Sequence, residues 1–440
     1  MESAKTTPML GAEPAPRKGA WLVLGILCFV YVLNFLDRQL LSILAKPIQD
    51  DLGVTDGQLG LISGLYFALF YCIISIPVAW LADRTNRVKV LSIACGLWSL
   101  ATVACGMAST YPQLVLARMT VGVGEAGGVP PSYAIITDYF PPSLRGRALA
   151  LFNLGPPIGQ SLGVAFGASI AAAYDWRLAF IILGVVGVVA AFVVFGVVRE
   201  PERGALDVKP AVVVEPEPAG GDPALDFWAT CRMFCTNPTL MLAALGSGAN
   251  QFITYASLNF ATLFLMREKG MTLEEIAFFY AILIGVAICG GMYVSGRMLD
   301  VMKKKSKAAY GLLPGVALFL AIPCFVGFVW APTWPLALVF LAPPLFLNYF
   351  YLTPSVALVQ EEVKPRQRVL AGAILLLIMN LLGLGLGPTY LGLASDFFAR
   401  TNPENSLQMA FYTLTPFYVL ASGIFLVLAR RLRREKGAVQ

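Results

Sequence analysis

The sequence predicts an all-α membrane protein with twelve transmembrane helices in two pseudo-symmetric six-helix bundles and both termini in the cytoplasm. Three observations predict it. The mean hydropathy is +0.72, with 58% hydrophobic and 13% charged residues, against about 25% charged in soluble domains. Of the 32 Lys and Arg, 25 fall in alternate connections, the bias that marks cytoplasmic loops. The two halves of the chain also repeat each other's landmarks on either side of one long polar break.

Apolar stretches near the 20 residues needed to cross a bilayer fall at 21–45, 59–82, 88–109, 111–139, 147–173 and 177–198, here spans 1 to 6. Spans 7 to 12 fall at 238–266, 273–299, 309–331, 335–361, 369–395 and 407–430. Residues 1–19 form a cytoplasmic tail, polar and Pro-containing, so span 1 serves as its own insertion signal. The first bundle covers 20–198. Residues 199–237 are a cytoplasmic linker rich in Pro, Gly and Glu, whose end, Leu225 to Phe234, reads as an amphipathic helix on the membrane face. The second bundle covers 238–432, followed by a short tail at 433–440. Outer loops hold only Lys46, Arg177, Arg267, Lys269 and Arg400.

Composition excludes several classes of function. There is no His, so imidazole bases, His-bound metals and His pH switches are absent. Six of the eight Cys lie in spans, where Cys acts as a small hydrophobe, and cytoplasmic Cys231 and Cys235 predict no disulfide. No metal, no cofactor and no enzymatic motif is expected. The formal charge of +6 reflects membrane topology and not nucleic-acid binding. The lack of an N-x-S/T site without Pro suits the inner membrane of a bacterium.

The repeats are specific. Span 2 ends in P-V-A-W-L-A-D-R-T-N-R-V-K (Pro77 to Lys89) and span 8 in V-S-G-R-M-L-D-V-M-K-K-K (Val294 to Lys305). Asp83 lies 62 residues after Trp21, the start of span 1, and Asp300 lies 62 after Pro238, the start of span 7. Span 5 carries N-L-G-P-P-I-G (Asn153 to Gly159) and span 11 carries L-G-L-G-L-G-P (Leu382 to Pro388). Arg145 and Arg147 precede the first, Arg366 and Arg368 the second. Parallel repeats of this kind occur in transporters that rock two bundles about a central site.

With the D-R-x-x-R-x-K turn at Asp83 to Lys89 and R-x-x-x-G-x-G at Arg118 to Gly124, the whole chain resembles the major facilitator superfamily. Within it, N-F-L-D-R in span 1, G-V-G-E-A-G in span 4 and V-R-E-P-E-R-G after span 6 resemble the Spinster family. Animal members of that family are associated with export of sphingosine-1-phosphate and lysophospholipids. Asn86 and Ala79 depart from the superfamily pattern, which usually has Gly at both places.

Four charges lie deep: Asp37, Arg38, Arg118 and Glu125. Each costs about 2.5–3.5 kcal/mol at mid-membrane on insertion scales, so each is a functional hypothesis by default. Asp37 and Arg118 lie roughly 13 and 10 Å below the outer ends of their helices at 1.5 Å per residue. Arg118, Gly122 and Glu125 share one helical face. The resemblance implies that spans 1 and 4 both face a central cavity. Two readings stay open: fixed salt bridges that hold the bundle, or pairs that break and re-form as a proton moves. Burial and a neighbouring Arg pull a carboxyl in opposite directions, which makes Asp37 and Glu125 the candidates for proton coupling. Arg38, Arg118 and Asn34 are candidates for a substrate's charged group, with Tyr255, Asn250, Tyr349 and Asn380 opposite them. These polar residues of the second half serve equally well as interhelical hydrogen bonds.

The resemblance implies an inner gate in which Asp83 faces the start of span 11 and Asp300 the start of span 5. Arg84, Arg87, Lys89, Arg145 and Lys303 to Lys305 are their candidate partners. Gly155 and Pro156 allow span 5 to pack closely and bend, and their likeness to an antiport motif implies exchange. The expectation is a monomeric, proton-coupled secondary transporter of an amphipathic anion or lysolipid, its partners being substrate, protons and bilayer. The alternative is a proton-independent facilitator or importer of a small organic anion. A non-transporting receptor would have no use for duplicated gates.

Overall fold

The structure is a computed structural model that describes residues 15–206, 223–364 and 367–437. The acidic part of the linker and Arg366 lie outside the described residues. Among those described, nine helical stretches are long and apolar enough to cross a membrane. They are spans 1 (Ala20–Ile43), 2 (Asp56–Arg84), 3 (Arg87–Gly106), 6 (Trp176–Val197), 8 (Leu273–Met302), 9 (Ala309–Trp330), 10 (Trp334–Glu362), 11 (Arg368–Ala399) and 12 (Pro403–Arg434).

The other three expected spans are helical but broken or polar. Span 4 divides into Tyr111–Glu125 and Val129–Tyr139 at the Gly127-Gly128 step. Span 5 divides into Pro142–Phe152 and Gly155–Ala173, with Pro156 and Pro157 in the new first turn, where a missing N–H costs no bond. Span 7 is one helix, Pro238–Arg267, whose apolar run is diluted by residues such as Asn250, Gln251 and Thr254. Four of the expected coupling and substrate residues, Arg118, Glu125, Asn250 and Tyr255, sit on these spans that compromise hydrophobicity.

Caps explain several boundaries. Thr55 and Gln58 form a reciprocal capping box before span 2, and Thr272 with Glu275 does the same before span 8. Asn86 accepts from the Lys89 N–H at 2.8 Å as the cap of span 3, a physical use for the residue that departs from the family pattern. The linker ends in a helix, Pro223–Thr236, with Trp228 exposed. A short helix at Ala45–Leu52, the tight turn Asn348–Tyr351 and wide π turns at Ile276–Tyr280 and Asn380–Gly385 were not expected.

Both described chain ends lie on one face, called proximal here, and the halves meet at the opposite, distal ends of their spans. The packing is backbone on backbone. A side chain on Gly60 would come within 2.5 Å of the Pro388 carbonyl, and one on Gly392 within 2.3 Å of the Asp56 carbonyl. The Ser42 hydroxyl donates to the Asn259 carbonyl at 2.6 Å, and Ser161 to that of Ala281 at 2.7 Å. The buried Asp56 carboxylate receives the Arg267 guanidinium at 2.8 and 3.1 Å and the Ser395 hydroxyl at 2.5 Å, joining spans 2, 7 and 11. Asp396 accepts from Thr55 at 2.7 Å and from the Gly57 N–H at 3.0 Å.

Close approach of spans 2 and 11 predicts that Gly60→Leu keeps the distal end from closing. In a cysteine-free protein carrying Ser63→Cys, a membrane-impermeant thiol reagent on the distal side should then label about tenfold faster, since excluding one state shifts the population to the other. Unchanged labelling would mean that this contact does not hold the end shut.

Candidate functional site

The deep charges come together within the first half, where spans 1 and 4 face the second half. Arg38, on span 1, places its Nε 2.5 Å from Glu125 Oε2 on span 4. Two turns earlier on span 4, Arg118 Nη1 stands 3.6 Å from Asp37 Oδ1, an ion pair too long to be a hydrogen bond. Asp37 Oδ2 instead accepts from the Thr102 hydroxyl of span 3 at 2.8 Å. The pairing is therefore Arg38 with Glu125 and Asp37 with Arg118. Two cations and two anions sum to zero, which is how four such groups are tolerated at this depth.

The two pairs differ in access. Asp37 and Arg118 are 2% exposed, and Glu125 is closed off, whereas the Arg38 side chain is 14% exposed. Its guanidinium also lies over three rings, Phe35, Phe67 and Tyr71, at 5.0–5.1 Å, within range of cation–π attraction. Glu125 Oε1, Asp37 Oδ1 and Arg118 Nε have no hydrogen-bond partner within the protein. A cavity of about 30 Å³ beside them is lined by Arg38, Arg118, Gln160 and Tyr255 among others, room for a water or two.

Other expected site residues divide. Asn34 is buried one turn before Arg38, its Oδ1 unpartnered. Tyr255 lies beside Arg38, and Tyr349 lies beside Gln160 and Tyr255. Asn380 begins the π turn of span 11, a geometry that recurs at functional sites. Asn250 is fully buried and donates to the Asn348 carbonyl at 2.6 Å, while Asn348 donates to the Tyr418 hydroxyl at 3.0 Å. It ties spans 7, 10 and 12 together and offers a ligand no surface in this conformation. Gly122 has span 2 against it: a side chain there would lie 2.8 Å from the Phe67 carbonyl.

Among the described residues no hydrogen bond or ion pair joins Asp83 to span 11 or Asp300 to span 5; the proximal end of span 2 meets the linker, and that of span 8 pairs within itself. The Asp83 carbonyl accepts from Arg203, Arg84 lies over the Trp80 ring at 4.2 Å, and exposed Asp300 pairs with Lys303 at 2.9 Å. Arg145 donates to the Thr137 and Phe140 carbonyls. Arg87 is buried between Asp138 at 2.6 Å and Glu200 at 2.8 Å, binding the start of the linker to spans 3 and 4. Gly155 meets the Tyr31 ring, bringing span 5 against span 1. At the distal end, Glu268 accepts from the N–H groups of Leu407 and Gln408, while burial pushes its carboxyl above the ordinary range.

Thr102 and the ring cage were not expected from sequence, although Phe35 stands three residues before Arg38, one turn away on the same face. The Asp56–Arg267 bridge was missed too. Its only signal was a charge at the end of each span.

Residues 27–388 match the model of the Major Facilitator Superfamily. The chain belongs to that superfamily, as a Spinster-type transporter. It is 31% identical over 421 residues to an MFS-type efflux pump of Mycolicibacterium smegmatis, covering 96% of this chain and 95% of that one. It is 27% identical to protein spinster homolog 1 of Homo sapiens, over 90% of this chain and 76% of that one. A crystal structure of a bacterial homolog to the human lysosomal transporter Spinster, inward-facing and unoccupied, superposes with a TM-score of 0.84 at 29% identity, covering 95% of this chain and 98% of that one. The Spinster-type chain is thus a multi-pass integral membrane carrier and not an enzyme.

The Arg38–Glu125 contact predicts a strong coupling in a double-mutant cycle. Arg38→Gln strands a buried carboxylate and should lower stability by about 3–5 kcal/mol, while adding Glu125→Gln should restore most of it. Thermal unfolding of the three variants and wild type in one detergent checks this. Additive losses would show that the two groups do not interact.

Proposed function

We propose that this Spinster-type transporter moves an amphipathic anion across the bilayer by alternating access, coupled to proton movement. The observation that carries the reading is the unequal access within the neutral cluster: Arg38 reaches the space between the halves, while its acid partner Glu125 is closed off. An anionic head group entering between the halves meets Arg38 first. Competing with Glu125 for that guanidinium, it leaves the carboxylate with less compensation for burial, and proton uptake then relieves the cost.

Departure of the substrate reverses the sequence. Asp37 and Arg118, held by Thr102 and more deeply enclosed, supply the second carboxylate through which the proton can pass. The apolar part of the substrate has an aromatic neighbour in Tyr255, which lines the cavity beside Arg38, and three residues before it on span 7 Phe252 packs on Tyr390 with centroids 5.4 Å apart. The efflux pump and Spinster relatives support export of an amphipathic molecule, and a lysolipid phosphate fits two arginines. The proximal gate is assigned to Asp83 and Asp300, with Arg84, Arg145 and Lys303 as partners when that end closes. The proximal face is assigned to the cytoplasm of a bacterium by the Lys and Arg bias.

Liposomes holding wild type, Asp37→Asn or Glu125→Gln test the coupling. With a lysophospholipid or sphingosine-1-phosphate present, wild type should show substrate-dependent proton movement, and each variant should lose it by about tenfold or more, as for a removed proton carrier. Equal substrate flux in all three with no proton signal would make the chain a facilitator and the acids structural.

A further inference from the structure

A second polar feature lies far from the central cluster. On the proximal face of the second half, a groove of about 420 Å³ runs between the end of span 8, the start of span 9 and the end of span 12. Lys305, Arg430 and Arg433 line it, together with Met302, Leu312 and Leu426. The three cations are exposed, and among the described residues no ion pair uses any of them. Three like charges would repel one another there, so the groove favours an anion.

The vertical order of the lining residues decides which anion. Span 12 has no charge from Thr415 to Ala429, and Arg430 is the first beyond that apolar run. Lys305 lies three residues beyond the end of span 8 at Met302, after Asp300, Lys303 and Lys304. Both therefore stand at the level of lipid head groups. Leu426, Arg430 and Arg433 share one helical face, with Leu426 about 6 Å deeper than Arg430 at 1.5 Å per residue. Leu312 is 40% exposed and lies one turn into span 9. The groove thus offers positive charge at the surface and apolar wall beneath it, the arrangement of a phospholipid and not of a soluble phosphate.

We propose that this groove binds one anionic phospholipid of the proximal leaflet, its phosphate among Lys305, Arg430 and Arg433 and an acyl chain along Leu312 and Leu426. Basic pockets between transmembrane helices on the cytoplasmic side are suited to such head groups. Seated there, the lipid bridges spans 8, 9 and 12 at the end where span 8 carries Asp300. It braces the second half as a unit while the halves move.

The full-length protein in detergent, given equal amounts of dioleoyl phosphatidylglycerol and dioleoyl phosphatidylcholine, tests this by native mass spectrometry. Wild type should retain one phosphatidylglycerol in preference to phosphatidylcholine, and the triple variant Lys305→Gln, Arg430→Gln, Arg433→Gln should lose at least about tenfold of that preference. A control with the same charge change elsewhere on the proximal face, Lys18→Gln, Lys89→Gln, Arg147→Gln, should keep it. Leu312→Ser keeps the cations and should weaken retention of phosphatidylglycerol. Equal retention of both lipids by wild type, an equal loss in the control, or full displacement by millimolar glycerol phosphate would each overturn the proposal.

Discussion

The structure is organised by the requirement that two arginines and two carboxylates inside a bilayer neutralise one another. Each group alone would cost about 2.5–3.5 kcal/mol, so none can be placed without the others. Spans 1 and 4 must bring their charged faces together, with Thr102 of span 3 holding Asp37 from behind. Gly122 on span 4 follows from the same constraint, because only a glycine lets Phe67 of span 2 approach close enough for its ring to cover both guanidinium groups. The second half contributes no charge at this depth, so the cluster is complete within one bundle. That leaves the interface between bundles free to open without exposing an unpaired ion of the second half.

The distal seal obeys a different physics. It rests on backbone contact at Gly60 and Gly392, hydroxyl-to-carbonyl bonds such as Ser42 to Asn259, and one buried ion pair, Asp56 with Arg267. Such contacts are short-ranged and are lost together when the spans separate by a few ångströms. Among the described residues nothing equivalent joins Asp83 or Asp300 to the other half: Asp83 meets Arg203 at the start of the linker and Asp300 meets Lys303. The two ends of the molecule are therefore unequal in this conformation although the sequence repeats are symmetric.

Hydropathy made the class, the spans and the depth of the four charges legible, because apolar length and isolated charge are local properties of a sequence. The choice of partner for each charge was not. Two pairings of Asp37, Arg38, Arg118 and Glu125 satisfy the spacing on spans 1 and 4, and only their relative rotation selects one. Asn250 shows the same limit from the other side: polarity in a span marks it as interesting but does not say whether it faces a cavity or the Asn348 carbonyl. The π turns of spans 8 and 11 escaped notice because each adds a residue to a turn without any composition of its own. Gly383 and Gly385 mark the second one only after its contact with Gln251 and Ala68 is known.

Unequal access within a neutral cluster has one further consequence for how binding and proton movement can be linked. If both pairs were equally sealed, no substrate could reach a charge, and the cluster would be a strut. If both were open, water would screen the interaction between head group and carboxylate, and coupling would be weak. Arg38 meets the opening with its guanidinium among three rings and its Nε on Glu125. A competing anion there acts on Glu125 through a single shared cation in a low-dielectric setting, where loss of one partner is felt most strongly. In the proposed cycle the adjacency of Asp37 and Arg38 on span 1 has the same logic: one short segment places the exposed anchor and the enclosed acid within a turn of each other.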